Sequence, residues 1–350
     1  MLNRTQISIP NLVRVKPGAV GRVGIYARRH AFSEIVVLHS ADLQMDLMHK
    51  LCDGLKAENV SVLQRWPIQD ASFEQARALF PQLPAKTRAI VGFGGGKALD
   101  VAKYVAFLTR IPYLAVPTSL SNDGFCSPQS SLTLEGKRKS LPSAMPFGVA
   151  IDTEVCLAAP EILWLAGVGD LVAKLTAVTD WKLAFNAVGT AVDDFAALLS
   201  DATVFQFIAR PTRDLEGVRL LGTSLMLNGI AMEVCGSSRP ASGSEHLISH
   251  ALDSLGGAPR MHGLQVGVAT YLVSRLQGKN SELIADLFEK TGFWRAIAAQ
   301  PFRRADWLEA LRRAPSIKQD FYTVLSARDC LPEAEEILRT DPRLQPCFAD

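Results

Sequence analysis

Ala89-Ile-Val-Gly-Phe-Gly94-Gly95-Gly96-Lys97-Ala-Leu-Asp100-Val-Ala-Lys103 reads as an apolar strand, a triple-glycine turn and an amphipathic helix. Glycines without Cβ let backbone N–H groups approach a ligand closely, and a helix N-terminus adds partial positive charge, so a pyrophosphate is favoured at this turn. The stretch lacks the Lys-Ser/Thr ending of a P-loop and the G-x-G-x-x-G spacing of the common dinucleotide fingerprint. Taken alone, three glycines between strand and helix can equally be a tight packing turn.

The surrounding pattern decides the fold class. Short β-branched runs at 35–38, 60–63, 89–93, 113–116 and 148–151 alternate with helical periodicity, which predicts parallel βαβ units that bind ligands beyond the carboxyl ends of the strands. After about residue 155 the pattern becomes helical, over 171–185, 195–209, 217–233, 245–255 and 263–276. The expected architecture is an α/β, Rossmann-like nucleotide-binding domain over residues 1–160 and an all-helical metal- and substrate-binding domain over 161–350. Two polar loops leave the ligand edge of the sheet. One is Pro117-Thr118-Ser119-Leu-Ser121-Asn122-Asp123-Gly124-Phe-Cys-Ser127-Pro128. The other is a basic hairpin turn around Lys137, Arg138 and Lys139, which reads as a solvated surface.

The helical half carries the second chemical signal. Three of the six histidines fall within seventeen residues: His246, His250 and His262. A helix would place His246 and His250 one turn apart on one face, with His262 supplied by the next turn or loop. Gly167-Val-Gly-Asp170 offers a carboxylate at the expected start of a helix. One Asp and two His would leave one coordination position open, as catalytic zinc sites do. Any one of these histidines alone is more ordinary as a hydrogen-bonded helix residue.

Composition excludes several classes. The 350 residues exceed the usual single-domain size, and 48% apolar content is ample for two cores. Scattered charges, 37 basic against 35 acidic, form no stripe for nucleic acid. The six cysteines are far apart with no C-x-x-C pair, which suits reduced thiols. No span of about 20 apolar residues and no cleavable leader is read, so no membrane partner and a cytoplasmic location are expected. The aromatic residues of 280–350, Trp294, Phe302, Trp307 and Phe321, read as core or subunit-contact positions.

With both motifs in hand, the chain resembles the iron-containing alcohol dehydrogenase and dehydroquinate synthase superfamily, and within it the sn-glycerol-1-phosphate dehydrogenase branch. The matching stretches are 90–103, 117–128, 167–174 and 236–267, of which Gly236-Ser-Ser-Arg239-Pro-Ala-Ser-Gly-Ser244-Glu-His246 points most to that branch. The resemblance implies that Gly94, Gly95, Gly96 and Lys97 surround an NAD(P)H pyrophosphate, with Asp100 fixing the loop. Thr118, Ser119, Ser121 and Ser127 would complete the cofactor pocket. It implies metal ligands at Asp170, His246 and His262, and catalytic, substrate-contacting roles for Asp123 and His250. Asp123 can instead close an Asx turn beside Gly124.

Many relatives place a fourth, histidine ligand four residues after the aspartate, where this chain has Lys174, so a three-ligand site is expected. Dehydroquinate synthases usually have glycine at the position of Lys103 and glutamate at that of Asp170, which disfavours cyclase chemistry. Arg239, with Ser238 and Ser244 beside the metal histidine, is the candidate for a substrate phosphate, because guanidinium binds phosphate bidentately. A local carboxylate is its other plausible partner.

The expected reaction is reversible reduction of dihydroxyacetone phosphate to sn-glycerol 1-phosphate. Zinc is the leading metal by ligand type, with nickel, iron or manganese also accommodated. The tip His39-Ser40-Ala41-Asp42 has no acid placed to repel a 2′-phosphate, so use of both NAD and NADP is expected. The alternatives are an unphosphorylated polyol or aldehyde substrate on the same fold, or a nucleotide-binding protein without catalysis. A homodimer or higher homo-oligomer is implied by resemblance only.

Overall fold

The computed structural model describes residues 7–256 and 260–349. The first half contains strands β1 (Leu12–Lys16), β2 (Glu34–Ser40), β3 (Ser61–Ile68), β4 (Ala89–Gly94), β5 (Tyr113–Pro117), β6 (Gln129–Leu134), β7 (Lys137–Pro142) and β8 (Gly148–Asp152). Six of them form one parallel sheet in the order β1-β8-β5-β4-β2-β3. Strands β4, β5 and β8 are buried along their whole length, as apolar runs covered on both faces must be. The five expected runs all fall in or against this sheet. Strand β1 escaped the sequence reading: its Leu-Val-Arg-Val-Lys mixes basic with apolar residues, and only Leu12 is fully buried at this sheet edge.

Helices α1 (Val23–Arg29), α2 (Met45–Ala57), α3 (Phe73–Leu79) and α4 (Gly96–Thr109) connect strands of this sheet, and α5 (Thr153–Ala158) follows β8. The basic turn expected near Lys137 is the tip of an antiparallel β6–β7 hairpin. Its two turn residues, Glu135 and Gly136, have φ of 53° and 74°, the pattern of a type I′ turn.

The remaining helices are α6 (Glu161–Val172), α7 (Lys174–Val188), α8 (Asp194–Ile208), α9 (Leu215–Cys235), α10 (Ser244–Ser254), α11 (His262–Gln277), α12 (Ser281–Thr291), α13 (Phe293–Ala299), α14 (Arg304–Arg313), α15 (Val324–Ala327) and α16 (Leu331–Thr340). A two-residue parallel pair, β9 (Phe302–Arg303) and β10 (Phe348–Ala349), is the strand content among the described residues of this half.

The chain separates into two compact units, and the division is not the simple one expected at 160/161. The first unit runs through Ala159 and takes back Asp214–Glu233, whereas the second comprises Pro160–Arg213 and the residues from Val234 onward. The cause is visible in α9: a Cβ on Gly229 would sit 1.6 Å from the Cys126 carbonyl oxygen, and one on Gly222 would sit 3.1 Å from Ile151. That helix therefore packs against first-unit backbone, a long-range contact that helical periodicity does not announce.

Within the second unit, Trp307, Phe302, Trp294 and Phe321 are buried, and Phe288 stacks on Phe293 at 4.1 Å. One expectation needs correction. Glu161–Val188 and Leu215–Cys235 are long and apolar enough to cross a membrane by length and composition, although their most apolar windows are 83% and 67% buried inside the fold. Burial of that extent is what a core helix shows. The six cysteines are free thiols.

Candidate functional site

Glycines bring the candidate ligands of the second unit together. A Cβ on Gly169 would lie 2.1 Å from the Gly263 carbonyl oxygen, one on Gly263 would lie 2.0 Å from the Ala166 carbonyl oxygen, and one on Gly267 would lie 3.0 Å from the Gly169 Cα. Helices α6 and α11 thus meet backbone to backbone, at a distance no side chain permits. Asp170 follows one of these glycines and His262 precedes another, so the crossing sets the two ligands face to face. Asp170 lies in the last turn of α6, which corrects its expected place at a helix start. The glycines before it open no helix; they let two helices touch.

Helix α10 supplies His246 one residue after Glu245. The beginning of this helix is fastened by buried carboxylates. Asp180 accepts from Ser244 N at 2.8 Å and from Val324 N at 2.9 Å, while Glu245 accepts from Gly243 N at 2.6 Å and from the Thr176 hydroxyl at 2.9 Å. Burial, reinforced by the Glu245 charge, pushes the Asp180 carboxyl up to about 6 despite those backbone bonds.

Asp170 Oδ1 is 3.5 Å from His246 Nε2 and 4.0 Å from His262 Nε2. One ligand atom from each of the three residues lies within 4.8 Å of the others. A metal–ligand bond of about 2.1 Å in a tetrahedral site separates ligand atoms by about 3.4 Å, so a small contraction would close this group on one ion. The other ring nitrogens are already engaged: His246 Nδ1 lies 2.8 Å from Glu245 Oε1, and His262 Nδ1 lies 3.0 Å from the Ser249 hydroxyl. Ser249 donates to Gln265 Oε1 at 2.8 Å, so its oxygen is the acceptor for His262 Nδ1–H. Both Nδ1 atoms therefore carry the proton in the neutral rings, and both Nε2 lone pairs point inward. Two nitrogens and one carboxylate oxygen, each braced from behind, fit a divalent metal.

Lys174 is fully buried, with Nζ 3.4 Å from Asp170 Oδ2 and 3.3 Å from the Ala241 carbonyl oxygen. It occupies the position of the absent fourth ligand and holds the carboxylate oxygen that faces away from the histidines. Burial alone would raise the Asp170 pKa, but Lys174, then His246 and His262, outweigh it and hold the carboxyl well below the ordinary range. Burial also depresses His246, yet Asp170 and Glu245 together lift it to about 9. His250 lies one turn along α10, its ring centroid 5.8 Å from that of His262, and is half-buried.

The first unit holds the glycine turn. Gly94 has φ 142°, and a Cβ there would strike Ser40 Oγ at 2.2 Å, so only glycine fits. Gly95 N donates to the same hydroxyl at 3.0 Å. In contrast, Cβ atoms on Gly95 and Gly96 would meet nothing closer than 4.0 Å. Open space thus lies beside Gly95 and Gly96 at the start of α4, where a pyrophosphate could approach the backbone closely.

Lys97 is exposed beside this turn, and the Thr118 N–H donates to the Gly94 carbonyl oxygen at 3.0 Å, joining the polar loop to it. Asp100 is buried and faces Lys103 at 3.4 Å. Burial raises the Asp100 pKa, against the pull of Lys103 and Arg138. Lys103 in turn donates to the Gly124 carbonyl at 2.5 Å and to Ser127 Oγ at 3.3 Å. Asp100 therefore acts on the loop through a lysine.

Ser127 is committed to the loop itself, donating to the Gln129 carbonyl at 3.0 Å, while Ser119 and Ser121 are half-buried. The Asx turn at Gly124 belongs to Asn122, whose Oδ1 accepts from Gly124 N at 2.9 Å. Asp123, half-buried in the short 3₁₀ turn Asp123–Cys126, is not that capping group. Arg239 is buried on Phe321, 3.7 Å from the ring centroid, and donates to the Tyr322 carbonyl at 2.6 Å.

Sequence reasoning missed Glu245, Ser249, Gln265 and Ser40. Glu245 had a signal, an acid adjacent to a ligand histidine. The others are partners through space alone.

The iron-containing alcohol dehydrogenase family matches residues 14–160. The chain is 33% identical over 338 residues to glycerol-1-phosphate dehydrogenase [NAD(P)+] of Methanothermobacter thermautotrophicus, covering 95% of this chain and 97% of that one. It is 35% identical over 344 residues to the enzyme of the same name from Aeropyrum pernix, covering 95% and 96%. Among solved structures, a glycerol dehydrogenase from Schizosaccharomyces pombe superposes with a TM-score of 0.76 at 18% identity over 95% of this chain and 91% of that one. The chain belongs to the glycerol-1-phosphate dehydrogenase branch of the iron-containing alcohol dehydrogenase family.

Proposed function

We propose that this family member uses NAD(P)H and one divalent metal to reduce dihydroxyacetone phosphate reversibly to sn-glycerol 1-phosphate. The observation that carries the chemistry is Asp170 Oδ1 facing two Nε2 atoms whose Nδ1 partners are Glu245 and Ser249. The relatives' names support the substrate. Asp170, His246 and His262 would hold the metal, for which zinc suits the donor set. When bound, the metal supplies Lewis acidity to the carbonyl, and the reduced nicotinamide supplies the hydride.

The chain's own residues do the positioning. The backbone of Gly94 to Gly96, with Lys97, Thr118, Ser119 and Ser121, takes the cofactor, and the Asp100–Lys103 pair fixes the loop through Gly124 and Ser127. Asp123 orients a substrate hydroxyl, and Arg239 takes the phosphate. With hydride supplied to the ketone carbon, the carbonyl oxygen would need one proton to complete the alcohol. His250 passes that proton, directly or through water, and recovers one from solvent. Exposed Phe195, Leu198 and Phe205, spaced along one face of α8, support a homo-oligomer, which light scattering tests. Free cysteines agree with work in a reducing cytoplasm.

The test follows loss of NADH and NADPH absorbance with dihydroxyacetone phosphate, dihydroxyacetone and a simple aldehyde. Turnover confined to the phosphorylated ketone, with sn-glycerol 1-phosphate as the single enantiomer, is expected. Turnover only of unphosphorylated carbonyls assigns the chain to polyol or aldehyde chemistry, and silence with every substrate contradicts a catalytic role.

A further inference from the structure

The two oxygens of the Asp170 carboxylate have different surroundings. Oδ1 faces His246 Nε2 at 3.5 Å and His262 Nε2 at 4.0 Å, whereas Oδ2 faces Lys174 Nζ at 3.4 Å. Asp170 lies in the last turn of α6 and Lys174 opens α7, four positions on, a spacing that brings side chains together on one side of a helical turn. Both residues are fully buried. Burying an ammonium is costly unless oxygen atoms replace its water, and Asp170 Oδ2 and the Ala241 carbonyl, at 3.3 Å, do so here.

The second acceptor is held in place as well. Ala241 N donates to the Ser238 carbonyl at 3.0 Å, and the buried Ser200 hydroxyl of α8 donates to the Pro240 carbonyl at 2.5 Å, so the segment entering α10 is fastened from two sides. Helix α10 then carries His246. The Lys174 ammonium therefore sits between the helix that supplies the carboxylate ligand and the segment that leads to an imidazole ligand. It engages the carboxylate oxygen that the imidazoles do not face.

An ammonium has three donors and no lone pair, so it cannot bind a metal ion itself. What it can do is keep Oδ2 from one. A carboxylate that chelates an ion turns both oxygens toward it, and a dication at Oδ2 would meet a fixed positive charge on the same atom. The imidazoles have no such freedom, since each offers one Nε2 whatever the ion. Of the three ligands, only Asp170 has a second atom to give.

We propose that Lys174 sets the metal preference of the site by confining Asp170 to coordination through Oδ1 alone. Zinc is satisfied by few ligands in tetrahedral geometry, whereas manganese favours more ligands and oxygen-rich octahedral geometry. Withholding one carboxylate oxygen therefore penalises manganese more than zinc. The inference rests on the metal centre proposed above and adds the residue that discriminates between ions there. A lysine present only to neutralise Asp170 or to fill space would affect both ions alike.

Lys174→Met carries the test, because it keeps a long unbranched side chain and removes the charge. Full-length wild type and variant, stripped of metal, are titrated with zinc and with manganese in competition with a chromophoric chelator, and thermal unfolding is recorded with and without each ion. The ratio of the manganese to the zinc dissociation constant is expected to fall about 10- to 100-fold in the variant, the range seen when the partner behind a metal ligand is lost. Cobalt(II) reports the geometry in the same proteins. The wild type should give the intense visible absorption of a four-coordinate ion, and Lys174→Met the weaker absorption of a higher coordination number.

An unchanged ratio, with both ions weakened together or both unaffected, overturns the assignment. If the variant fails to fold, cobalt in the wild type decides: a four-coordinate spectrum supports the role of Lys174, and a higher-coordinate one overturns it. A wild type that binds no ion loses the metal centre and this inference with it, whereas binding without the expected change of ratio removes the role of Lys174 alone.

Discussion

The two glycine-rich regions use the same residue for opposite purposes. At Gly95 and Gly96 the missing Cβ leaves a space that the protein does not fill, beside the backbone at the start of α4. At Gly169 and Gly263 the missing Cβ leaves no space at all, because another helix's backbone occupies it. The first kind of glycine serves a ligand, and the second serves a crossing that places Asp170 opposite His262. Substitution distinguishes them, since a side chain should cost affinity in one region and the fold in the other.

The largest effect is expected for Gly263→Val. Its side chain would collide with the Ala166 carbonyl at 2.0 Å, a backbone atom that cannot rotate away. A loss of at least ~3 kcal/mol, beyond ordinary overpacking, should appear in chemical denaturation, together with loss of metal and activity. A Gly263→Val protein as stable as the wild type would mean that the two helices do not meet as described.

His262→Ala should spare the fold and remove the chemistry. A fall in kcat/KM of roughly a thousandfold or more, with loss of stoichiometric metal and a near-native circular dichroism spectrum, is expected for a lost metal ligand. Retained metal content with full activity would remove His262 from the centre. Glu245→Gln tests one layer further out. Gln can still accept from a ring N–H but carries no charge, so metal affinity, read by chelator competition, should weaken by about 10- to 100-fold.

Gly95→Ala is the mildest change and the most telling for the comparison. Its φ of −82° is ordinary for alanine and no protein atom blocks the new methyl, so the melting temperature should hold or rise slightly. The methyl would nevertheless stand where the pyrophosphate approaches, raising cofactor KM about tenfold through lost backbone hydrogen bonds. A stability loss without a KM change would make this turn a packing device like the other.

Legibility in the sequence followed the range of each interaction. The apolar strands, the glycine turn and the histidine pair one turn apart on α10 depend on near neighbours, and periodicity exposes them. Asp170 is legible as an acidic ligand, but the Gly-x-Gly before it suggests a helix start because the partner helix, almost a hundred residues later, leaves no local trace. The return of α9 to the first unit depends on Gly229 meeting the Cys126 carbonyl, which no local pattern records. Ser40 under Gly95 and Lys318 beside Ser238 are likewise separated by 55 and 80 positions, so spacing gives no hint of either pair.

The most direct test of the account is a metal titration. Protein stripped of metal by chelator is mixed with NADH or NADPH and dihydroxyacetone phosphate, and the rate is followed as zinc is added, with nickel, iron and manganese in parallel. The account predicts no turnover in the stripped protein and a plateau at one metal per chain, with no such recovery in Asp170→Asn. Full turnover in the presence of excess chelator, or equal recovery in the Asp170 variant, would contradict it.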